Sequence, residues 1–523
     1  MREHKPHSNF RFYNQLITVV LFGCEHDPIG QARSLLSLRT QHFRNIEVIV
    51  AGHANSIATQ LSYFETFRGI SHAPSLDPLE LLSNSAHDNL WRGNYLIFAR
   101  AGTEFDPDCF SLVNEALAQR DERPPQLAVI DHDRPSHKND AREPIFLPGW
   151  DPDLALDLDF IGTAFVASRE LVITQRVNDR PTSFHDWLKR VARLHPQPQV
   201  VHVSEPILHL TDPTPLPEDR TVIPPTPWIS LPRNQWPSMA VVVTNRNRPD
   251  LLKRCFSFLA FPNQFTPELV IVDNGSEDPE TLAIYSEFER QHGARIVQMN
   301  HSFSYSRMVN LGVAASRSDV VMLMHNDVEF SVPGQIEELL RHALRPEVGV
   351  VGSRLLYHDG TLQHAGLTFR AEHSGHTLIK SHSTPSNDDG YMFAQRTTRN
   401  YQAVSGSVQA IRRDVYESLG GYDELHLPVE YNDVDFCLRA RKAGLRVISL
   451  PLAGVYHREL ESLRSASTAS TVKMRDAAMA IMAARWPEAL RRDPFINPWI
   501  DVADGSLSGF PKLLKPAEAK NDK

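Results

Sequence analysis

The chain has 523 residues, 41% of them hydrophobic and 22% charged, with a formal net charge of −9. That length exceeds what one hydrophobic core usually serves, so more than one domain is expected. The acidic balance argues against nucleic-acid binding, which needs clustered Lys and Arg; it leaves room for a small anionic ligand held by a metal ion and backbone N–H groups.

In chain order, the opening MREHKPHSNFRFYNQ lacks the apolar stretch of a signal peptide. LITVVLF then reads as a strand, ARSLLSLRTQHF as an amphipathic helix, and IEVIVAGHAN and NYLIFARAGTEF as further strands. Asp131-His132-Asp133 comes next, and two acids around a histidine admit a metal-site reading. From Thr211 to Pro237 closely spaced prolines forbid helix and favour an extended linker. Beyond it the order repeats: MAVVVTNRNR as a strand, DLLKRCFSFLAF as a helix, LVIVDNGSED and RIVQMN as strands, SYSRMVNLGVAAS as a helix, and DVVMLM as a strand ending at His325-Asn326-Asp327. The alternation predicts an α/β fold of two tandem, Rossmann-like, mainly parallel sheets, with ligands beyond the carboxyl ends of the strands. The expected domains are 1–210, a linker over 211–237, a catalytic domain over 238–505 and a disordered polar tail over 506–523. No apolar run reaches the roughly 20 residues that span a bilayer. Cys24, Cys109, Cys255 and Cys437 lack paired spacing, so the expected location is a reducing cytoplasm.

Four positions in the second half carry the candidate chemistry. Asp273 ends an apolar strand before Asn274, Gly275 and Ser276; it suits either a nucleobase contact or a plain strand-ending turn. Asp327, also at a strand end, suits a hard divalent cation that bridges to a diphosphate. Asp433 and Asp435 open a helical segment, where acids stabilise the N-terminal N–H groups or one serves as a general base. His457 comes after a short strand and suits either a packed imidazole or a metal ligand. Five histidines between His358 and His382 match no zinc spacing and read as an acceptor-side loop.

These blocks, with GVVGSRLLYHDGTLQHAG, AVSGSVQAIRRDVYESLGGYDE and EYNDVDFCLRARKAGLRV, resemble the family 2 glycosyltransferases of the GT-A fold, in particular the tandem-domain bacterial enzymes of surface polysaccharide assembly. The resemblance implies roles: Asp273 reads the base, Asp327 binds Mg2+ or Mn2+, His457 completes the metal site, and Asp433 is the catalytic base. Thr244, Arg246, Ser306 and Asn310 fall in blocks that border the donor nucleotide. His325 stands where the family's motif has its first acid, which implies weaker metal dependence.

In the first half, Ala51 aligns with Asp273, Gly102 with Asp327 and Phe184 with Asp433, Asp186 lying close by; this half reads as a degenerate copy. The family also has an acid-rich segment where Asp131 to Asp133 lies, which favours a structural or acceptor-facing role there. The function implied is inverting transfer from a nucleotide-diphosphate sugar to a saccharide or lipid-linked acceptor, which would bring the protein to the inner face of the membrane. A two-site glycan polymerase and a non-catalytic glycan-binding scaffold are the alternatives.

Overall fold

The computed structural model describes residues 15–51, 70–73, 76–118, 124–135, 142–176, 179–194, 197–211, 236–261, 266–299, 301–372, 375–380, 390–458 and 469–500. Most of the expected linker, all of the tail over 506–523 and part of the histidine-containing loop lie outside them. The chain divides into two compact units, Met1–Glu218 with Ile496–Trp499, and Asp219–Phe495 with Ile500–Lys523.

Unit 1 carries β1 (Ile17–Phe22), β2 (Ile46–Ala51), β3 (Ile70–Ala73), β4 (Tyr95–Arg100), β5 (Glu104–Phe105), β6 (Leu127–Pro135), β7 (Arg142–Ile145), β8 (Phe165–Ser168) and β9 (Val200–His209). Its sheet runs β3-β2-β1-β4-β8-β6-β9-β5, with β7 paired to β6. In unit 2 the main sheet uses β10 (Met239–Asn245), β11 (Glu268–Asp273), β12 (Arg295–Gln298), β13 (Val320–His325), β15 (Val348–Ser353), β20 (Arg399–Asn400), β21 (Val408–Arg412) and β22 (Arg446–Leu450). Its order, β12-β11-β10-β13-β21-β15-β22-β20, repeats that of unit 1 over the first seven strands. In both units the strand after the first four in the order, β8 or β21, is antiparallel to its neighbours. The two tandem α/β sheets expected from the sequence are present. A smaller sheet in unit 2 joins β14 (Val328–Phe330), β23 (Val455–His457), β16 (Leu355–Leu356) and β17 (Leu362–His364).

The central strands of unit 2 are apolar throughout because both of their faces are buried. Val241, Val243, Leu269, Ile271 and Met322 join one core cluster, while Val242, Val270, Val272, Val321 and Leu323 join another. Helix Tyr305–Ala315 lies on β10 and β11 through Gly312, where an added Cβ would collide with the Val242 side chain and come within 2.9 Å of Val272 Cγ2.

In unit 1, Asp131, His132 and Asp133 go to separate partners and do not form a chelate. Asp131 is fully buried and accepts from Leu147 N (2.9 Å), His202 Nε2 (2.7 Å) and Asn497 Nδ2 (2.6 Å). Ile496–Trp499 belong with unit 1, although those residues fall within the sequence-based range 238–505. Asp133 binds Arg142 Nε (2.5 Å) and His209 Nδ1 (2.9 Å). Burial pushes the His132 imidazole down to about 4.

Two outcomes are expected from this packing. Gly312→Ala forces overpacking at the helix–sheet contact and should cost about 1–3 kcal/mol in urea unfolding of unit 2; an unchanged midpoint would contradict the contact. For His132, the unfolded chain takes up a proton near pH 6.5, which the folded chain refuses until about pH 4. Stability therefore falls as pH drops through that window, by about 3 kcal/mol in total. Replacing the imidazole (His132→Leu) should flatten the pH dependence of unfolding between pH 7 and 4, and parallel curves for the two proteins would refute a buried neutral imidazole.

Candidate active site

The site forms at the carboxyl edge of the unit 2 sheet, where β10, β11 and β13 end in polar residues. Asn245 pairs in register with Asp273, and Thr244 with His325, so all three strands end at one level. Side-chain hydrogen bonds then tie the ends together. Asp273 is 1% exposed and accepts from Ser276 N (3.0 Å), Ser276 Oγ and Tyr285 OH (2.9 Å). The Tyr285 oxygen in turn accepts from Asn245 Nδ2 (2.7 Å), and Asn245 Oδ1 accepts from Asn326 Nδ2 (2.6 Å). The link from β11 through β10 to the His325-Asn326-Asp327 turn is continuous. Beside it Asn247 and Arg248 hold left-handed backbone (φ 53° and 59°), and the Asn247 side chain accepts from Glu277 N (2.9 Å) and Asp278 N (3.0 Å). Non-glycine residues rarely adopt that conformation and cluster at functional sites when they do.

Asp327 is the centre of the site. Its carboxylate oxygen lies 3.1 Å from His457 Nε2 and 4.0 Å from His325 Nδ1, and the side chain is 4% exposed. Ligand atoms of the three residues all lie within 4.8 Å of one another. Antiparallel pairing of β14 with β23 sets Val328 opposite His457 and so brings the late histidine to the motif. Two imidazoles and a carboxylate at that spacing fit a divalent cation. His325, in sequence a departure that implies weaker metal dependence, is placed here as a third member of the donor group. Its ring packs edge-on between Tyr305 (centroids 5.1 Å) and His457 (5.5 Å).

Asp433 is the second residue of helix Asn432–Lys442, which Tyr431 enters in a left-handed conformation (φ 59°). Its Oδ2 accepts from Gly406 N (2.6 Å) and its Oδ1 from Val434 N (2.8 Å), and the residue is half-buried. A side chain at Gly406 would meet Asp433 Cβ at 3.0 Å, so glycine permits the close approach. Tyr305 stands between the two acidic centres: its hydroxyl is 3.4 Å from Gly406 O. Burial raises its phenol pKa, and the charge of Asp433, then more weakly that of Asp327, adds to the rise. Asp435 is fully buried against Arg439 Nε (2.8 Å) and Trp486 Nε1 (2.9 Å), an arrangement that serves the fold.

The remaining sequence candidates divide. Thr244 is half-buried at the end of β10 and Arg246 is exposed just beyond it, both at the sheet edge. Ser306 and Asn310 lie on helix Tyr305–Ala315, which begins beside His325. Ser306 Oγ donates to Leu427 O (2.5 Å), while Asn310 Nδ2 donates to Tyr422 O (2.9 Å) and Glu424 Oε1 (2.8 Å); both fasten the segment that leads to Asp433. Sequence reading passed over Asn245, Tyr285, Tyr305 and Gln363. Gln363 Oε1 accepts from His457 Nδ1 at 2.7 Å across 94 residues of chain, and only the pairing of β16, β17 and β23 reveals that neighbour.

In unit 1 the equivalent edge differs. Ala51 ends β2 as Asp273 ends β11, and Gly102 lies two residues past β4 as Asp327 lies two past β13. Gly102 N donates to Ser34 Oγ (3.0 Å). Phe184 opens its helix with its ring 5.6 Å from Phe22, 4.8 Å from Phe98 and 6.3 Å from Phe165. Ser183 caps that helix, and Asp186 in its first turn accepts from Thr182 N (3.0 Å) and Arg190 Nη2 (3.2 Å). Apolar rings fill the space next to the strand ends.

A family described as Glycosyl transferase family 2 matches residues 240–420, which include Asp273 and Asp327 but stop short of Asp433 and His457. The chain is 27% identical to the uncharacterized protein y4gI of Sinorhizobium fredii, over 92% of this chain and 57% of that one. It is 28% identical to the O-antigen biosynthesis protein RfbC of Myxococcus xanthus, over 79% of this chain and 34% of that one. It thus spans little more than half of the first relative and about a third of the second. A further 26% identity covers 42% of this chain and 76% of an N-acetylglucosaminyl-diphospho-decaprenol L-rhamnosyltransferase of Mycobacterium tuberculosis. Residues 240–420, with the strand ends that carry Asp273 and Asp327, are thus the part of the chain similar to the family 2 glycosyltransferases.

Proposed function

We propose that unit 2 is an inverting glycosyltransferase that moves a sugar from a nucleotide-diphosphate donor to a hydroxyl of a saccharide or lipid-linked acceptor in surface polysaccharide biosynthesis. One observation carries this reading: His325, Asp327 and His457 converge at the carboxyl edge of a mainly parallel sheet, and Tyr305 links them to Asp433. Ligands of such sheets bind beyond the strand ends. The relatives named for O-antigen biosynthesis and for rhamnosyl transfer support a hexose or deoxyhexose as the transferred group.

A divalent cation bound at Asp327 would offset the negative charge that develops on the departing diphosphate. The rest falls to side chains of this chain. Thr244 and Arg246 border the nucleotide at the end of β10. Asp273, held by Ser276 and Tyr285, fixes the turn against which the base lies and offers its remaining lone pairs to the base edge. Asp433 takes the proton of the acceptor hydroxyl as its oxygen bonds to the anomeric carbon and the bond to the diphosphate breaks. Two backbone N–H groups hold the carboxylate in place for that transfer. Unit 1 has Ala51 and Gly102 where unit 2 has Asp273 and Asp327, which favours a single transfer site over two. Among the described residues no helix is long and apolar enough to cross a membrane; a lipid-linked acceptor would supply the attachment to the inner face.

Asp433→Asn keeps the shape of the side chain and removes the base. Release of nucleoside diphosphate from UDP-, GDP- and dTDP-sugars in the presence of acceptor should fall by about 10²- to 10⁴-fold, while thermal stabilisation by the same donor persists. Wild-type turnover in the variant, or loss of donor binding in a folded variant, would refute the assignment of Asp433 as base.

A further inference from the structure

Resting on the reading of Asp327 as the metal-binding acid, we infer that His325 makes this site selective for imidazole-binding transition-metal ions such as Mn2+ over Mg2+, and able to hold the ion before any nucleotide arrives. The donor atoms set this preference. Mg2+ is served by oxygen ligands, keeps much of its water and is usually anchored by one or two carboxylates with substrate phosphates completing the shell. Imidazole nitrogen instead favours first-row transition ions, with affinity rising from Mn2+ through Co2+. Here one carboxylate is flanked by two imidazoles, all ligand atoms lying within 4.8 Å of one another.

The two imidazoles are also positioned. The Gln363 carbonyl oxygen can only accept, so His457 Nδ1 carries a proton there at 2.7 Å and Nε2 is the nitrogen that faces Asp327, 3.1 Å away. Gln363 Nε2 donates to the His457 carbonyl (3.4 Å), which fixes the orientation of the amide. Outer partners of this kind set the tautomer and the aim of a metal-binding histidine. His325 is confined by the edge-on rings of Tyr305 and His457, and its side chain is 33% exposed, so an ion can reach it from solvent. A nitrogen–oxygen–nitrogen set built by the protein alone does not need substrate phosphate to complete a minimal site. Gln363 is therefore a positioning residue, and His325 the residue that sets metal preference.

The test uses the full-length protein, freed of metal, with Mn2+ alone as the probe. Electron paramagnetic resonance should show Mn2+ binding without nucleotide, pulsed spectra should carry nitrogen-14 couplings from imidazole, and Mg2+ should compete poorly. The His325→Asp substitution should lower the Mn2+-to-Mg2+ affinity ratio by at least about tenfold, and Gln363→Leu should weaken Mn2+ binding by about 10- to 100-fold. Bound Mn2+ without nitrogen couplings, or Mg2+ and Mn2+ binding equally well to the wild type, would overturn the inference. Binding of Mn2+ that appears only after nucleoside diphosphate is added would also overturn it while leaving the metal role of Asp327 intact. If neither ion affects the protein with or without nucleotide, the metal reading of Asp327 fails as well.

Discussion

The unit 2 site depends on one constraint: its central strands bury both faces, so polar groups can stand only where the strands end. β10, β11 and β13 finish at the same level, and the bond from Asn326 Nδ2 to Asn245 Oδ1 locks the last of these ends to the first. Tyr285 extends the lock to Asp273. Without it the turn that carries Asp327 would be an ordinary exposed loop. With it, the carboxylate is held under cover of the sheet edge, close enough to His325 and His457 for three donors to share one ion.

The same fold in unit 1 shows what the polar strand ends contribute. Strand order and the antiparallel interruption are repeated, so the sheet does not require the acids. Where they are missing, the strand ends are closed by Phe22, Phe98, Phe165 and Phe184, and Asp186 is taken up by Thr182 N and Arg190. Burying rings is favourable, whereas buried polar strand ends must be satisfied by partners, as they are in unit 2. Asp131 and Asp133 obey the same logic: each is buried or half-buried with its own partners, Leu147, His202 and Asn497 for one, Arg142 and His209 for the other.

Much of this was legible in the sequence, for a definite reason. Long apolar runs that stop at Asp273 and Asp327 announce buried parallel strands, and residues just past the end of a buried strand must lie at the sheet edge. His457 was legible because a short strand precedes it. Contacts between distant segments escaped. Tyr285 sits in a helix with nothing to mark its hydroxyl, and Gln363 meets His457 only because β16 lies between β17 and β23. Nor does the motif that holds Ser306 and Asn310 reveal that their side chains bond to the 422–427 segment. His325 looked like a lost acid in one dimension; in three its Nδ1 lies 4.0 Å from the Asp327 carboxylate.

A single live donor site at Asp327 is the central claim. Thermal unfolding of the full-length protein should be followed with UDP, GDP, dTDP and CMP, each with and without Mn2+, in the wild type and in Asp327→Ala. A ligand that binds only the folded state raises its stability by mass action, about 2.7 kcal/mol at a hundredfold excess over the dissociation constant. The expected result is a shift with one nucleoside diphosphate that needs Mn2+ and disappears in Asp327→Ala. A shift that survives the substitution, or none with any nucleotide in a well-folded wild type, would contradict a live donor site there.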